Sequence, residues 1–188
     1  MAEPTLVSGS PRLALLDDAS PAVTADGYRA AVSRLPTGVT VITASGPEGP
    51  VGCTANAVMS LSLEPPSLLV SLGGRSATLE RIRAAGSFAV NVLTWSDRAL
   101  TRKFATGTAA ERFAGVGWDL MHQVPVLSRS AAAMVCEVHE LVPLFDHTLV
   151  VGTVTWAQAG EAEPAVYYGN ELRALRPVDP ASGSDQRT

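Results

Sequence analysis

The sequence predicts a mainly β domain, a closed or nearly closed antiparallel barrel with helical insertions. Three observations carry this: segments dense in β-branched residues, turn chemistry between successive segments, and strands with little charge. The 188 residues, 46% hydrophobic and 17% charged, suit one domain with an ample core. That domain is expected over residues 24–175, between a flexible arm at 1–23 and a flexible tail at 176–188, both rich in polar residues and Pro without a period.

The first element is a helix over about 25–34, capped by Thr24 or Asp26, with Tyr28, Ala31, Val32 and Leu35 on one face and Pro36 as its stop. "TGVTVITA" follows as a strand, and "GPEGP" at 46–50 turns the chain into "VGCTANAVMSLSL", completing a hairpin. After Pro65 and Pro66 come the strand "SLLVSL" and then a loop, a Ser76 cap, a helix burying Leu79 and Ile82, and Gly86 at its C-terminus. "SFAVNVL" is the next strand. A second helix from Ser96 carries Leu100 and Phe104, "AAERFAG" adds a helical turn, and an irregular stretch is expected through Pro125. The last third returns to strands in "AAAMVCEVHELV", "TLVVGTVTWAQA" and "PAVYY".

Net charge is -4 and cations do not cluster, which argues against nucleic acid or an anionic membrane as partner. Leu13–Leu16 is too short for a signal-peptide core and no segment is long and apolar enough to span a bilayer, so a cytoplasmic location is expected. Cys53 and Cys136 have no CxxC partner, and His122, His139 and His147 lack ligand spacing, so no metal is expected and the cysteines read as small buried hydrophobes.

Three stretches carry chemistry. If 54–62 is one extended strand, Thr54, Asn56, Ser60 and Ser62 share a face, with Ala55, Ala57, Met59 and Leu61 opposite. A solvent-facing strand would usually include Lys, Glu or Arg, and none occurs from Val51 to Leu63. A polar, uncharged ligand such as a heteroaromatic ring with carbonyls and ring nitrogens fits instead. "SLGGRSAT" at 71–78 offers backbone N–H groups, hydroxyls and the Arg75 guanidinium to an anion, although an ordinary capped loop has the same pattern. Asp146 and His147 stand at a turn before a strong strand, as a turn cap or as a contact to a second substrate. No GxSxG elbow supports hydrolysis.

The segments "LPTGVTVITA", "GCTANAVMSLSLEPPSLLVSL", "RSATLERIRAAGSFAVNVL", "LTRKFA", "RF", "VPVLSRSAAAMVCEV", "DHTLVVGTV" and "PAVYYGNELRAL", in this order over about 28–175, resemble the flavin reductase family. The resemblance implies the split-barrel flavin-binding fold and an NAD(P)H-dependent reductase that supplies reduced FMN or FAD to a partner flavin-dependent monooxygenase. It implies that Thr54, Ala55, Asn56 and Ala57, with Ser60, lie along the isoalloxazine and ribityl chain. Ser71, Arg75, Ser76 and Thr78 would lie towards the phosphate, and Asn91 where the fold closes behind the flavin. His147, in the family's Gly-Asp-His motif, would contact NADH or NADPH. A homodimer with the site near the subunit interface is implied as well.

This sequence departs from the family at Ala57-Val58-Met59, where Ser-Phe-Thr is more usual, and at Phe145, where glycine is usual. Hydride transfer between cofactors needs stacked rings and no acid–base pair, in keeping with the lack of a catalytic dyad. Two other readings stand beside this one. In the first, a flavoprotein retains FMN or FAD and acts on its own substrate, with Phe145, Trp118 and Trp156 lining a pocket. The second is a non-catalytic flavin-binding or assembly protein.

Overall fold

The computed structural model describes residues 23–175. The arm expected at 1–23, apart from Val23, and the tail expected at 176–188 lie outside the described residues. The chain divides into two compact units at Val32/Ser33. Of the first, the described part is α1 (Ala25–Val32), where Thr24 Oγ1 accepts from Gly27 N at 3.0 Å and so caps the helix. The helix stops short of the expected residue 34, and none of its residues is buried.

The second unit comprises β1 (Thr37–Gly38), β2 (Thr40–Gly46), β3 (Gly49–Ala55), β4 (Val58–Leu63), β5 (Pro66–Gly73), α2 (Ala77–Ala85), β6 (Ser87–Leu93), α3 (Leu100–Ala105), α4 (Ala109–Phe113), β7 (Trp118–Met121), β8 (Val124–Leu127), β9 (Ser130–Leu144), β10 (His147–Ala159), β11 (Ala165–Tyr168) and β12 (Glu171–Ala174). Seven strands form one antiparallel sheet in the order β3-β2-β6-β9-β10-β5-β4. Its two edges, β3 and β4, are consecutive in the chain. Only Asn56 and Ala57 separate them, so Ala55 and Val58 are no more than roughly 11 Å apart at the Cα atoms. The sheet therefore curls until its edges meet at one end, where Ser71 N donates to Ala57 O at 2.9 Å. The expected mainly β, antiparallel class is borne out.

β2 shows why its sequence is β-branched without alternation: both its faces are buried. Ile42 packs inside the curled sheet with Val70, Leu79, Ile82, Phe88, Cys136 and Val150. Val41 packs on the other side with Val39, Leu93, Phe104, Phe113 and Leu127, where the Phe104 and Phe113 rings meet edge to face at 5.0 Å. Gly152, opposite Phe88, lies at a register shift between β9 and β10, and a Cβ there would stand 2.6 Å from Phe88 Cζ. Asn91 is the polar rivet of this region. Fully buried, it donates through Nδ2 to Val41 O (2.9 Å) and Thr43 Oγ1 (3.1 Å) and accepts from Leu127 N (2.8 Å) at Oδ1.

Several expectations need correction. The single strand expected over 51–63 is broken at Asn56–Ala57, and the β4/β5 register shifts again between Ser60 and Ser62. Alternation cannot be carried across that break, and Met59 and Leu61, expected on the face opposite the polar residues, are exposed along with Ser60. Ser76 is the N-cap residue of α2, as expected, but its side chain makes no capping hydrogen bond. The stretch expected to be irregular contains the hairpin β7–β8, turned by His122 and Gln123, both at positive φ. Neither residue signals such a turn. The strand β12 was not anticipated, although the Gly169-Asn170 turn at positive φ is an ordinary hairpin signal.

Candidate functional site

Most of the expected site residues come from three segments that the topology brings to one end of the curled sheet. At this end β3 stops and β4 begins, β5 runs out at Gly73, and β9 turns into β10 through Phe145 and Asp146. Main-chain bonds tie the segments together: Ser71 N to Ala57 O, Gly74 N to Asp146 O at 2.8 Å, and the β pairing of His147 with Gly73. Asn56, Ala57, Arg75 and His147 are exposed here, and Ser71 and Ser76 are half-buried. Among the described residues neither the Asn56 amide nor the Arg75 guanidinium has a hydrogen-bond or ion-pair partner, so both are free for a ligand.

The hairpin turn is unusual. Phe145 has φ 55°, a left-handed conformation that favours glycine, and is 106% exposed. Asp146 Oδ1 lies 2.8 Å from His147 Nδ1, and the hydrogen bond and charge of His147 hold the Asp146 carboxyl below its ordinary range. The pairing orients the ring and leaves Nε2 without a hydrogen-bond partner among the described residues.

A second face of the same end is a cavity of about 270 Å³ lined by Val39, Thr54, Ala55, Asn56, Thr101 and Tyr167. Thr54 Oγ1 donates to Thr101 O at 2.7 Å, and Thr40 Oγ1 to Ala55 O at 2.6 Å, which fixes the backbone of the segment. Thr101 Oγ1 is buried with no hydrogen-bond partner. An apolar wall with free neutral polar groups and an orphaned hydroxyl fits a flavin ring better than it fits an ion. Sequence reasoning missed Thr101 and Tyr167. No local signal marks either, because each arrives through a long-range pairing: Thr101 through Thr54, and Tyr167 through β1.

Three expected residues stand apart. Asn91 is sealed in the core with both amide protons spent. Thr78 is buried on α2 and, with Ser76, faces the Cys53 thiol. Burial pushes that thiol up, against the opposing pull of the Thr78 and Ser76 hydroxyls and the Arg112 cation. Ser60 is exposed on β4 opposite Leu68, three residues before Ser71 on β5 and so roughly 10 Å from it along the strand. Among the described residues no group of three or more His, Cys, Asp or Glu is placed to hold a metal, and no helix is long and apolar enough to cross a membrane.

Residues 32–176 match the flavin reductase like domain. The NADH:FMN oxidoreductase of Rhodococcus erythropolis is 36% identical over 175 residues, covering 89% of this chain and 90% of that protein. Among solved structures, the NADH:FAD oxidoreductase of Streptomyces globisporus superposes with a TM-score of 0.78 at 31% identity, covering 89% of this chain and all of that one. The styrene monooxygenase flavin reductase of Pseudomonas putida does so with a TM-score of 0.74 at 27% identity, over 81% of this chain and 98% of that one. Fold and sequence agree, and the chain belongs to the flavin reductase family.

Proposed function

We propose that the protein is an NAD(P)H:flavin oxidoreductase that reduces FMN or FAD and releases the reduced flavin to a partner monooxygenase. The observation that carries this reading is the convergence at one sheet end of Asn56–Ala57, Gly73–Ser76 and Phe145–His147, with a buried acid–base pair nowhere among them. A bound flavin supplies the hydride-accepting ring. The Thr54–Ala57 segment holds that ring by neutral hydrogen bonds, and Arg75 with the Ser71 and Ser76 hydroxyls receives the phosphate. His147, oriented by Asp146, contacts the nicotinamide donor. Asn91 and Thr78 support this end from within and make no ligand contact in this assignment.

An open end of the sheet favours exchange of flavin with solution, as a reductase serving a separate oxygenase requires. The alternative pocket of Phe145, Trp118 and Trp156 lacks support. Trp156 is nine residues along β10 from His147, roughly 30 Å of strand, and Trp118 packs edge to face on Phe113. The edge strand β4 exposes Met59, Leu61 and Leu63, an apolar row suited to a second copy of the chain, and a homodimer follows from that reading. Two free cysteines suit the reducing cytoplasm.

The test is NADH and NADPH oxidation by the purified protein with and without added FMN or FAD. Oxidation that depends on and saturates with added flavin is expected. A flavin-loaded, folded protein that oxidises neither donor would overturn the reading.

A further inference from the structure

The β7–β8 hairpin packs on the outer side of the sheet, against β6, β9 and the Trp156 ring of β10. Between hairpin and strands lies a cavity of about 200 Å³, room for about seven waters at roughly 30 Å³ each. It is remote from the open end of the sheet, since Trp156 on its wall stands nine residues along β10 from His147. Its lining holds one carboxylate, Asp119, and no cation.

Two departures from regular patterning build it. The first is a bulge in β10 at Thr155, where Val154 pairs with Cys136 and the next paired residue, Trp156, with Val135. Val154 and Cys136 pack inside the curled sheet, whereas Trp156 and Val135 pack on the outer side. Residues two apart on a regular strand share a face, so the bulge is what turns the Trp156 ring out of the core and onto the cavity wall. The second is an acid in an apolar row. Asp119 and Met121 alternate along β7 and share a face with Val124 and Val126 of β8, which pack against the sheet. A carboxylate in that row breaks the pattern of a packing face.

The polar groups of the cavity are only partly engaged. Asp119 Oδ2 accepts from Ser128 Oγ at 3.1 Å, and among the described residues the carboxylate pairs with no cation. Arg129, next to Ser128, pairs instead with Asp97 at 3.3 Å. Neither the Trp156 indole N–H nor the Gln158 amide, on the same face of β10, has a side-chain hydrogen bond among the described residues. The walls themselves are fixed, because Leu127 N donates to Asn91 Oδ1 at 2.8 Å and Ser45 Oγ to Gln123 O at 2.6 Å.

We infer that this cavity is a binding site for a small organic monocation, a protonated or quaternary amine with a short apolar body. The charge meets Asp119, and the apolar body lies against Trp156 and Met121, where the indole face attracts a cation as well. The Gln158 carbonyl oxygen offers a further acceptor. An anion would be repelled by Asp119, and a neutral ring would leave that charge unanswered. The inference is independent of the reductase reading, because none of these residues belongs to the expected flavin or donor site.

The experiment is calorimetric titration of the full chain with benzylamine and choline as probes and benzyl alcohol as the neutral control. The wild type is compared with Asp119→Asn, which keeps an acceptor for Ser128 and removes only the charge, and with Trp156→Leu. Benzylamine or choline is expected to bind with a Kd of about 1 mM or tighter, and benzyl alcohol at least about fivefold more weakly. Asp119→Asn should weaken the amine about tenfold, the scale of one charge-assisted contact, and leave the alcohol within about twofold. Trp156→Leu should weaken the amine by a similar factor, and should that variant fold poorly, Asp119→Asn decides alone. Binding of both amines weaker than about 10 mM, alcohol binding as tight as the tighter amine, or an amine affinity unchanged in either folded variant would overturn the site.

Discussion

Asn91 and Asn56 were both expected to meet the flavin, and the structure gives them opposite circumstances. Asn91 is in the closed region of the sheet, with its amide satisfied by Val41, Thr43 and Leu127. Asn56 is at the open end, exposed and without a hydrogen-bond partner among the described residues. The same side chain is a rivet where every backbone group around it is buried, and a recognition group where the sheet stops and solvent enters. The difference teaches that strand interiors in this fold specify structure and strand ends specify ligands.

Substitutions in the closed region should cost stability first, and those at the open end should change kinetics at nearly constant stability. The largest effect is expected from Gly152→Ala, whose Cβ would meet Phe88 Cζ at 2.6 Å and Cys136 Cβ at 2.8 Å. Both neighbours are in the core, so a loss of about 3 kcal/mol or more is expected by denaturant titration. Next, Asn91→Ala leaves the Leu127 N–H and Val41 C=O without their side-chain partner, for a loss of about 2 kcal/mol. A smaller loss at Asn91 than from an exposed substitution such as Asn56→Ala would break the comparison. Asn56→Ala should instead raise KM for flavin about fivefold with an unchanged melting temperature, the loss of one or two neutral hydrogen bonds.

His147→Ala should raise KM for the nicotinamide donor or lower kcat, and unchanged kinetics with both NADH and NADPH would remove it from the site. It should also let the Asp146 carboxyl return towards its ordinary range, visible in an NMR titration. That carboxyl is depressed in the folded protein, so the contribution of the pair is present above the ordinary value of about 4 and is lost as pH falls through the folded value. The smallest effect is expected from Phe145→Gly, which removes a bulky residue from φ 55° and should add about 1 kcal/mol of stability. At high pH the closed region has its own signature. Burial pushes the Cys136 thiol up to about 12 from 9.0, so stability should decline as pH rises from about 9 to about 12.

The fold was legible where one residue type had one job. The β-branched run of β2 and the Ser87–Leu93 strand read directly, and so did α2, with Leu79 and Ile82 buried and Gly86 at φ 68°. The site was legible in its segments and less so in its side chains. "TANA", "GGRS" and "FDH" do gather at one end, but periodicity across Asn56–Ala57 misassigned Met59 and Leu61, because the chain leaves one sheet edge there and enters the other. Asn91 and Thr78 look like ligand groups in the sequence, where nothing states that neighbouring chain will bury them. The β7–β8 hairpin escaped notice because His122 and Gln123 adopt positive φ without the glycine or asparagine that advertises it.

The bonds that gather the site, Ser71 N to Ala57 O and Gly74 N to Asp146 O, run entirely between main-chain atoms. Most residues can make them, so the side chain at Ala57 is free to vary while the backbone cradle persists. In evolutionary terms the open end is a cassette: its residues can drift through changes of flavin or donor preference without passing through an unfolded ancestor. Of the four residues at which the sequence departs from the pattern it resembles, Ala57 stands at one of these main-chain bonds and Phe145 in the turn beside the other.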